Sequence, residues 1–231
     1  MFHPHDTITR ILREHPAAAR VFERHGMDYC CAGGTTLEAA CLERGTSVDA
    51  LITDLEELLA PAGAGPELDS LTLPDLVEHI RSTHHAYLRE ELPRLDAMTE
   101  RVALVHGNRN PRLQAVHETW TEVALLAKAH LEKTERFLFP VLEKSADPSA
   151  PEAENARMRA ETVKEGEWLT EGIGRLRELT ESYIAPPWAC GTYRAMLEAL
   201  ARFETDTLAH LRTEQTRLFP RIPQDEPTGA H

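Results

Sequence analysis

Apolar residues recur at spacings of three and four through most of the chain, the period of amphipathic helices, and no stretch alternates as a half-buried strand would. Four short helices come first. Asp6 or Thr7 caps one that carries Ile8, Ile11 and Leu12, and Pro16 opens a second with Ala17, Val21 and Phe22, stopped by Gly26. Thr35 or Thr36 caps a third with Leu37, Ala40 and Cys41 inward, ending near Gly45. Ser47 caps a fourth with Val48, Leu51, Ile52, Leu55, Leu58 and Leu59. Ala60-Pro-Ala-Gly-Ala-Gly-Pro66 has the composition of a linker. Four longer helices are expected beyond it, over about 72–101, 110–142, 152–184 and 192–219. The pattern predicts an all-α protein: a small helical domain over 1–59, a linker over 60–70, an antiparallel four-helix bundle over 71–222 and a tail over 223–231.

Two of the long helices share a frame. His130-Leu131 leads to Leu138-Phe139-Pro140, and His210-Leu211 leads at the same interval to Leu218-Phe219-Pro220, so each reads as the last turns of a helix stopped before a proline. Residues four apart share a helix face, about 6 Å from one another, so His210 and Glu214 can hold one metal ion. In the first copy Thr134 stands where the second has Glu214. Bundles hold metals with inward His and Glu on facing helices. The candidates are His79, His84 and His85, then His130, then His210 with Glu214. Helical periodicity alone does not separate His84 from His85, and His117, thirteen residues before His130, turns off the ligand face and is expected at the surface. Imidazole with carboxylate in a bundle suits iron or a similar divalent metal, and iron is expected ahead of zinc.

Charge narrows the classes. A net charge of −13 argues against nucleic acid and anionic membranes as partners, and no apolar run is long enough to span a bilayer. The first residues lack the basic and apolar regions of a secretory signal, so a cytoplasmic location is expected. Of the four cysteines, Cys30 and Cys31 are adjacent, which suits a disulfide framework badly, and no CxxC pair suggests structural zinc. Cys30 and Cys31 precede Gly33-Gly34 and a helix start, where backbone N–H groups favour a reactive thiolate. Cys41 is expected in a core. Trp120, Trp168 and Trp188 are expected to pack the bundle, and the acidic runs Glu56-Glu57 and Glu90-Glu91 to face solvent.

The run Gly26-Met-Asp-Tyr-Cys30-Cys31-Ala-Gly33-Gly34 with Thr36-Leu37, the Pro186-Pro187-Trp-Ala-Cys190 loop and both Leu-Phe-Pro ends resemble the iron–sulfur cluster repair (repair of iron centres) family over nearly the whole length. In that family a small cysteine-bearing domain precedes a hemerythrin-like bundle that holds two irons through one His per helix and two bridging Glu. The resemblance implies His85, by its distance from Leu92-Pro93, together with His130, His210 and Glu214 as metal ligands, and a role for Cys30 and Cys31 in iron, cluster or thiol chemistry. It also puts Thr134 where the first bridging Glu belongs and Thr162 where the third-helix His belongs.

Losing a bridging carboxylate weakens a two-metal centre more than losing a terminal ligand, so one iron on His85, His130, His210 and Glu214 is the favoured expectation. A surviving two-iron site would need Glu135, Glu161 or Glu165 turned inward. The implied function is repair of iron–sulfur clusters damaged by nitric oxide or oxidants, with cluster proteins as clients, nitric oxide or dioxygen as small ligand, linked redox chemistry at iron left open, and a homodimer also open. A metal- or redox-sensing module is the alternative class, and a metal-free interaction scaffold a third.

Overall fold

The computed structural model describes residues 2–27, 34–59, 68–143 and 152–221. Cys30, Cys31, most of the expected linker and the tail lie outside the described residues.

The N-terminal unit has α1 (Ile8–Glu14), a turn at Pro16–Ala18, α2 (Ala19–Arg24), α3 (Leu37–Arg44) and α4 (Val48–Leu59). Its caps follow the sequence. Thr7, Thr36 and Ser47 each accept a hydrogen bond from the backbone N–H three residues on, and Gly45 closes α3 at φ 67°, a left-handed conformation that costs glycine nothing. Thr7 and Thr36 also pair as an isolated antiparallel bridge, tying the starts of α1 and α3 together.

The bundle's first arm is α5 (Leu73–Ile80), a π turn (Arg81–His85) and α6 (Ala86–His106). Its second is α7 (Arg112–Lys133), a π turn (Thr134–Leu138) and α8 (Phe139–Glu143). The third is α9 (Glu152–Leu179), and the fourth is α10 (Gly191–Thr213) with a π turn (Glu214–Leu218) and a 3₁₀ turn (Phe219–Arg221). Helix α6 packs on α7 and α10, and α9 on α7 and α10. At Gly172 a Cβ would come within 2.6 Å of Val123 Cγ2, so glycine lets α9 lie this near α7.

Three expectations about element ends are corrected. The second arm runs through Pro140 to Glu143, in keeping with the span to 142 and against a stop before the proline; the residue ahead of the proline, Phe139, closes a π turn onto Thr134 O. Leu218-Phe219-Pro220 likewise continues into a 3₁₀ turn. Helix α9 ends at Leu179 rather than near 184, where Glu181, Ser182 and Tyr183 take positive φ.

One apolar core runs from the N-terminal unit (Ile8, Ile11, Phe22, Leu37) into the bundle (Leu95, Trp120, Phe203), so the two units pack as one body. A second cluster caps the far end with Leu76, Val77, Ile80, Leu138, Phe139, Leu142, Leu218 and Phe219. The two Leu-Phe-Pro repeats thus close that end of the bundle. The N-terminal unit also changes the reading of Glu90-Glu91: Glu90 is exposed, but Glu91 is 1% exposed, 2.6 Å from Arg94 and 3.5 Å from Arg20 of α2. Trp120 is buried as expected, whereas Trp168 lies off the inner line of α9 and is 46% exposed. His117 is half-buried rather than superficial, with Nδ1 3.0 Å from the Thr99 hydroxyl. Among the described residues no helix is long and apolar enough to cross a membrane.

Candidate metal centre

Between the main core and the end cap, three π turns meet. Each starts or ends on a polar residue that faces the bundle axis: His85 ends the first, Thr134 starts the second and Glu214 starts the third, and all three are buried. A π turn inserts one residue into a helix and re-aims its side chains, which is why such turns gather at functional sites. In the first arm the Ser82 and Thr83 hydroxyls bond back to the Glu78 and His79 carbonyls, competing with the α-type ladder just where the turn widens. In the other two, Phe139 N–H reaches Thr134 O and Phe219 N–H reaches Glu214 O, the same bond in both copies of the repeat.

His85, His210 and Glu214 bring one ligand atom each to within 4.8 Å of the others, all buried. His85 Nε2 lies 3.2 Å from His210 Nε2, and His210 Nε2 lies 3.2 Å from Glu214 Oε1. The other oxygen of Glu214 lies 3.3 Å from His130 Nε2. One carboxylate therefore stands among three imidazoles contributed by three helices. Burial alone would favour the neutral acid, but His130 and His210 outweigh it and hold Glu214 ionised far below the usual carboxylate range. Burial also works against charge on His130, yet Glu214 and Glu165 raise its pKa above the ordinary value. His85 goes the other way: burial, then His210, push it down to about 4.

The surrounding shell backs two of the rings. Glu135 accepts from His85 Nδ1 at 2.7 Å and is itself clamped by Arg89. Glu165 Oε2 stands 3.9 Å from His130 Nδ1. Carboxylates on the outer nitrogen of a ligating histidine fix its tautomer and leave Nε2 to the metal. His84 is not in the centre: its Nδ1 turns to Asp206 at 2.9 Å, and its ring lies flat against His210. His85 in turn stacks on Phe139 of the end cap, with ring centroids 5.2 Å apart.

The donor set fits a metal ion. Buried polar atoms almost always find partners. Both ring nitrogens of His130 and Oε2 of Glu165 are buried without an aligned hydrogen bond among the described residues. The two threonines contribute little. Thr134 Oγ1 donates to the His130 carbonyl and Thr162 Oγ1 to the Met158 carbonyl, and neither hydroxyl carries charge. Of the carboxylates that would have to turn inward, Glu135 is engaged on His85 and Arg89, Glu161 on Lys133 at 2.6 Å, and Glu165 is held through Oε1 by Lys133 at 3.0 Å with Oε2 on the outer side of His130. The outer carboxylates, with Arg89 and Lys133 behind them, and the π turns were not assigned from the sequence. The adjacency of Glu135 to Thr134 was the available signal.

The hemerythrin HHE cation binding domain matches residues 75–222, and a domain of unknown function (DUF542) matches residues 4–59. The iron–sulfur cluster repair protein YtfE of Yersinia pseudotuberculosis serotype O:1b (strain IP 31758) is 31% identical to this chain over 218 residues, which is 91% of this chain and 93% of the relative. YtfE of Yersinia pestis (strain Pestoides F) is similar to the same extent. With a buried His–Glu centre lying inside the matched bundle, and an N-terminal unit matched in its own right, the chain belongs to the hemerythrin-like family of iron–sulfur cluster repair proteins.

Proposed function

We propose that this chain is a cytoplasmic iron-binding protein that helps restore iron–sulfur clusters damaged by nitric oxide or oxidants, and that its bundle holds one iron ion. The observation that carries the reading is the ionised, buried carboxylate of Glu214 set among His85, His130 and His210. Those four side chains would hold the ion. When bound, iron supplies an open coordination position for a diatomic molecule such as nitric oxide or dioxygen, and an ion that can be delivered to a client. Glu135 and Glu165 keep the His85 and His130 rings aimed at the axis, and the Leu-Phe-Pro cap with Phe139 keeps water from that end.

The two threonines support one ion rather than two. A second ion would have only His130 and a share of Glu214, since Thr134 and Thr162 offer no charge and spend their protons on the backbone. Coupling two nitric oxide molecules, which two irons favour, is therefore not the proposed chemistry. The relatives' description as iron–sulfur cluster repair proteins supports cluster proteins as clients, with Cys30 and Cys31 handling transfer.

Metal content per chain, measured on protein from iron-supplemented cells beside Glu214→Ala, tests the site. One iron per chain, lost in the variant, is expected; two would overturn the one-ion reading, and none would overturn the site. Recovery of activity by a nitrosylated cluster enzyme tests repair, and absence of recovery by iron-loaded protein would refute it.

A further inference from the structure

At the other end of the bundle, about 30 Å along α6 and α10 from the metal centre at 1.5 Å per residue, a cysteine and a histidine 84 positions apart meet. Cys190 Sγ lies 3.2 Å from His106 Nε2. We propose that Cys190 and His106 form a second thiol site, which takes up low-molecular-weight disulfides by thiol–disulfide exchange.

The pair has the geometry of a nucleophile beside its base. Cys190 is a free thiol, half-buried at the edge of the main apolar core, in contrast to Cys41, which is buried in the N-terminal core with its pKa raised chiefly by that burial. Cys190 occupies the N-cap position of α10, yet its side chain caps nothing; it turns across to the end of α6 instead. His106 is held in place from two sides. Its ring packs on Tyr193, with centroids 5.9 Å apart and planes at 27°, and on Trp188 at 5.8 Å. Tyr193 is in turn fixed by Asn110 Nδ2, which donates to its hydroxyl at 3.3 Å. The Arg109 guanidinium lies over the Trp188 ring at 4.3 Å, placing a cation on the far side of the ring that packs against His106. An aromatic wall with Arg109 over it, and Arg194 on the carbonyls of the Pro186–Ala189 loop, suits a small disulfide that carries carboxylates.

The incoming disulfide is itself the oxidant: one of its sulfurs is reduced to a thiol as Cys190 is oxidised. His106 Nε2 takes the thiol proton of Cys190 as the sulfur attacks one sulfur of the disulfide. A new S–S bond forms on Cys190 and the old one breaks. Its electron pair leaves on the second sulfur, which receives the proton from His106 as a free thiol.

The test uses the full chain with Cys30→Ser and Cys31→Ser, so that of the four cysteines only half-buried Cys190 and buried Cys41 remain. Oxidised glutathione is added at pH 7, and the adduct is followed by intact mass and located by peptide mapping. Cys190 is expected to react roughly tenfold faster than free cysteine, and His106→Ala to lose that advantage. Added imidazole should restore much of the lost rate, a readout that a merely structural histidine would not move. His106→Gln, which keeps a planar polar side chain in the aromatic slot, should be as slow as His106→Ala while melting at the wild-type temperature. A rate no faster than free cysteine, an undiminished rate in either variant, or no rescue by imidazole would overturn the proposal.

Discussion

Glu135 decides between two descriptions of the centre, and its substitution makes the difference measurable. In the structure its carboxylate sits outside the metal position, accepting from His85 Nδ1 at 2.7 Å while Arg89 holds it from the far side. Removing an outer partner of this kind costs about 10–100-fold in metal affinity, about 1.4–2.7 kcal/mol. Two effects add at this position. The carboxylate holds the proton on Nδ1 so that Nε2 keeps its lone pair, and its charge favours a cation on the other side of the ring. Glu135→Gln keeps an acceptor but loses the charge, which places it near the lower figure; Glu135→Ala loses both and approaches the upper one. Phe139 continues to brace the ring, which limits the loss. The assay is competition of Fe(II) or Co(II) binding against a chelator of known affinity, with metal per chain measured in parallel. Stoichiometry is expected to stay at one while the dissociation constant rises. If Glu135→Ala instead loses an ion, Glu135 is itself a ligand; if affinity is unchanged, the His85 hydrogen bond does nothing for the metal. Either result would refute the outer-partner assignment.

Further outcomes follow from the same geometry. Thr134→Glu with Thr162→His should raise metal content from one ion to two per chain, as measured by elemental analysis, since it supplies the carboxylate and imidazole that the second position lacks. Iron binding should release protons to an indicator dye, and less so in Glu214→Ala, because Glu214 raises the pKa of His130 and a ligating imidazole must give its proton up. In metal-free protein the folded-state pKa of His85 is lowered to about 4 against an ordinary value of about 6.5. Between those values the unfolded chain takes up a proton that folded His85 refuses, so this contribution to stability falls with decreasing pH, by up to ~3 kcal/mol, and urea titrations of His85→Asn should lack that component. Arg94→Met leaves Glu91 buried at the seam with Arg20 as its remaining cation, and should lower the urea midpoint by the equivalent of about 3 kcal/mol.

How far the centre was legible depends on how local each determinant is. His210 and Glu214 were readable as a pair because the four-residue period is a property of one helix, and the repeated frame matched His130 to the same depth. His84 and His85 were not separable for a reason that the structure makes plain. The inner line of α5 runs through Leu76, Val77 and Ile80, and an α-helix continued from it would bring His84 inward. The inner line of α6, counted back from Leu95, Leu92 and Leu88, brings His85 inward instead. The two registers differ by one residue, and the π turn at Arg81–His85 is the residue that joins them. Periodicity read on either side was correct, and only the mismatch between the two sides carried the signal for the turn. Glu91 shows the opposite limit. Its place on the Leu88–Leu95 face was visible in the sequence, but its burial depends on Arg20 and on α2 packing against the bundle, a contact between residues some seventy positions apart that no local pattern records. Trp168 needed no such information. The inner line of α9 passes through Thr162, Leu169, Ile173 and Leu176, which turns position 168 outward, so its exposure follows from the helical wheel alone once aromatic character is not allowed to override it.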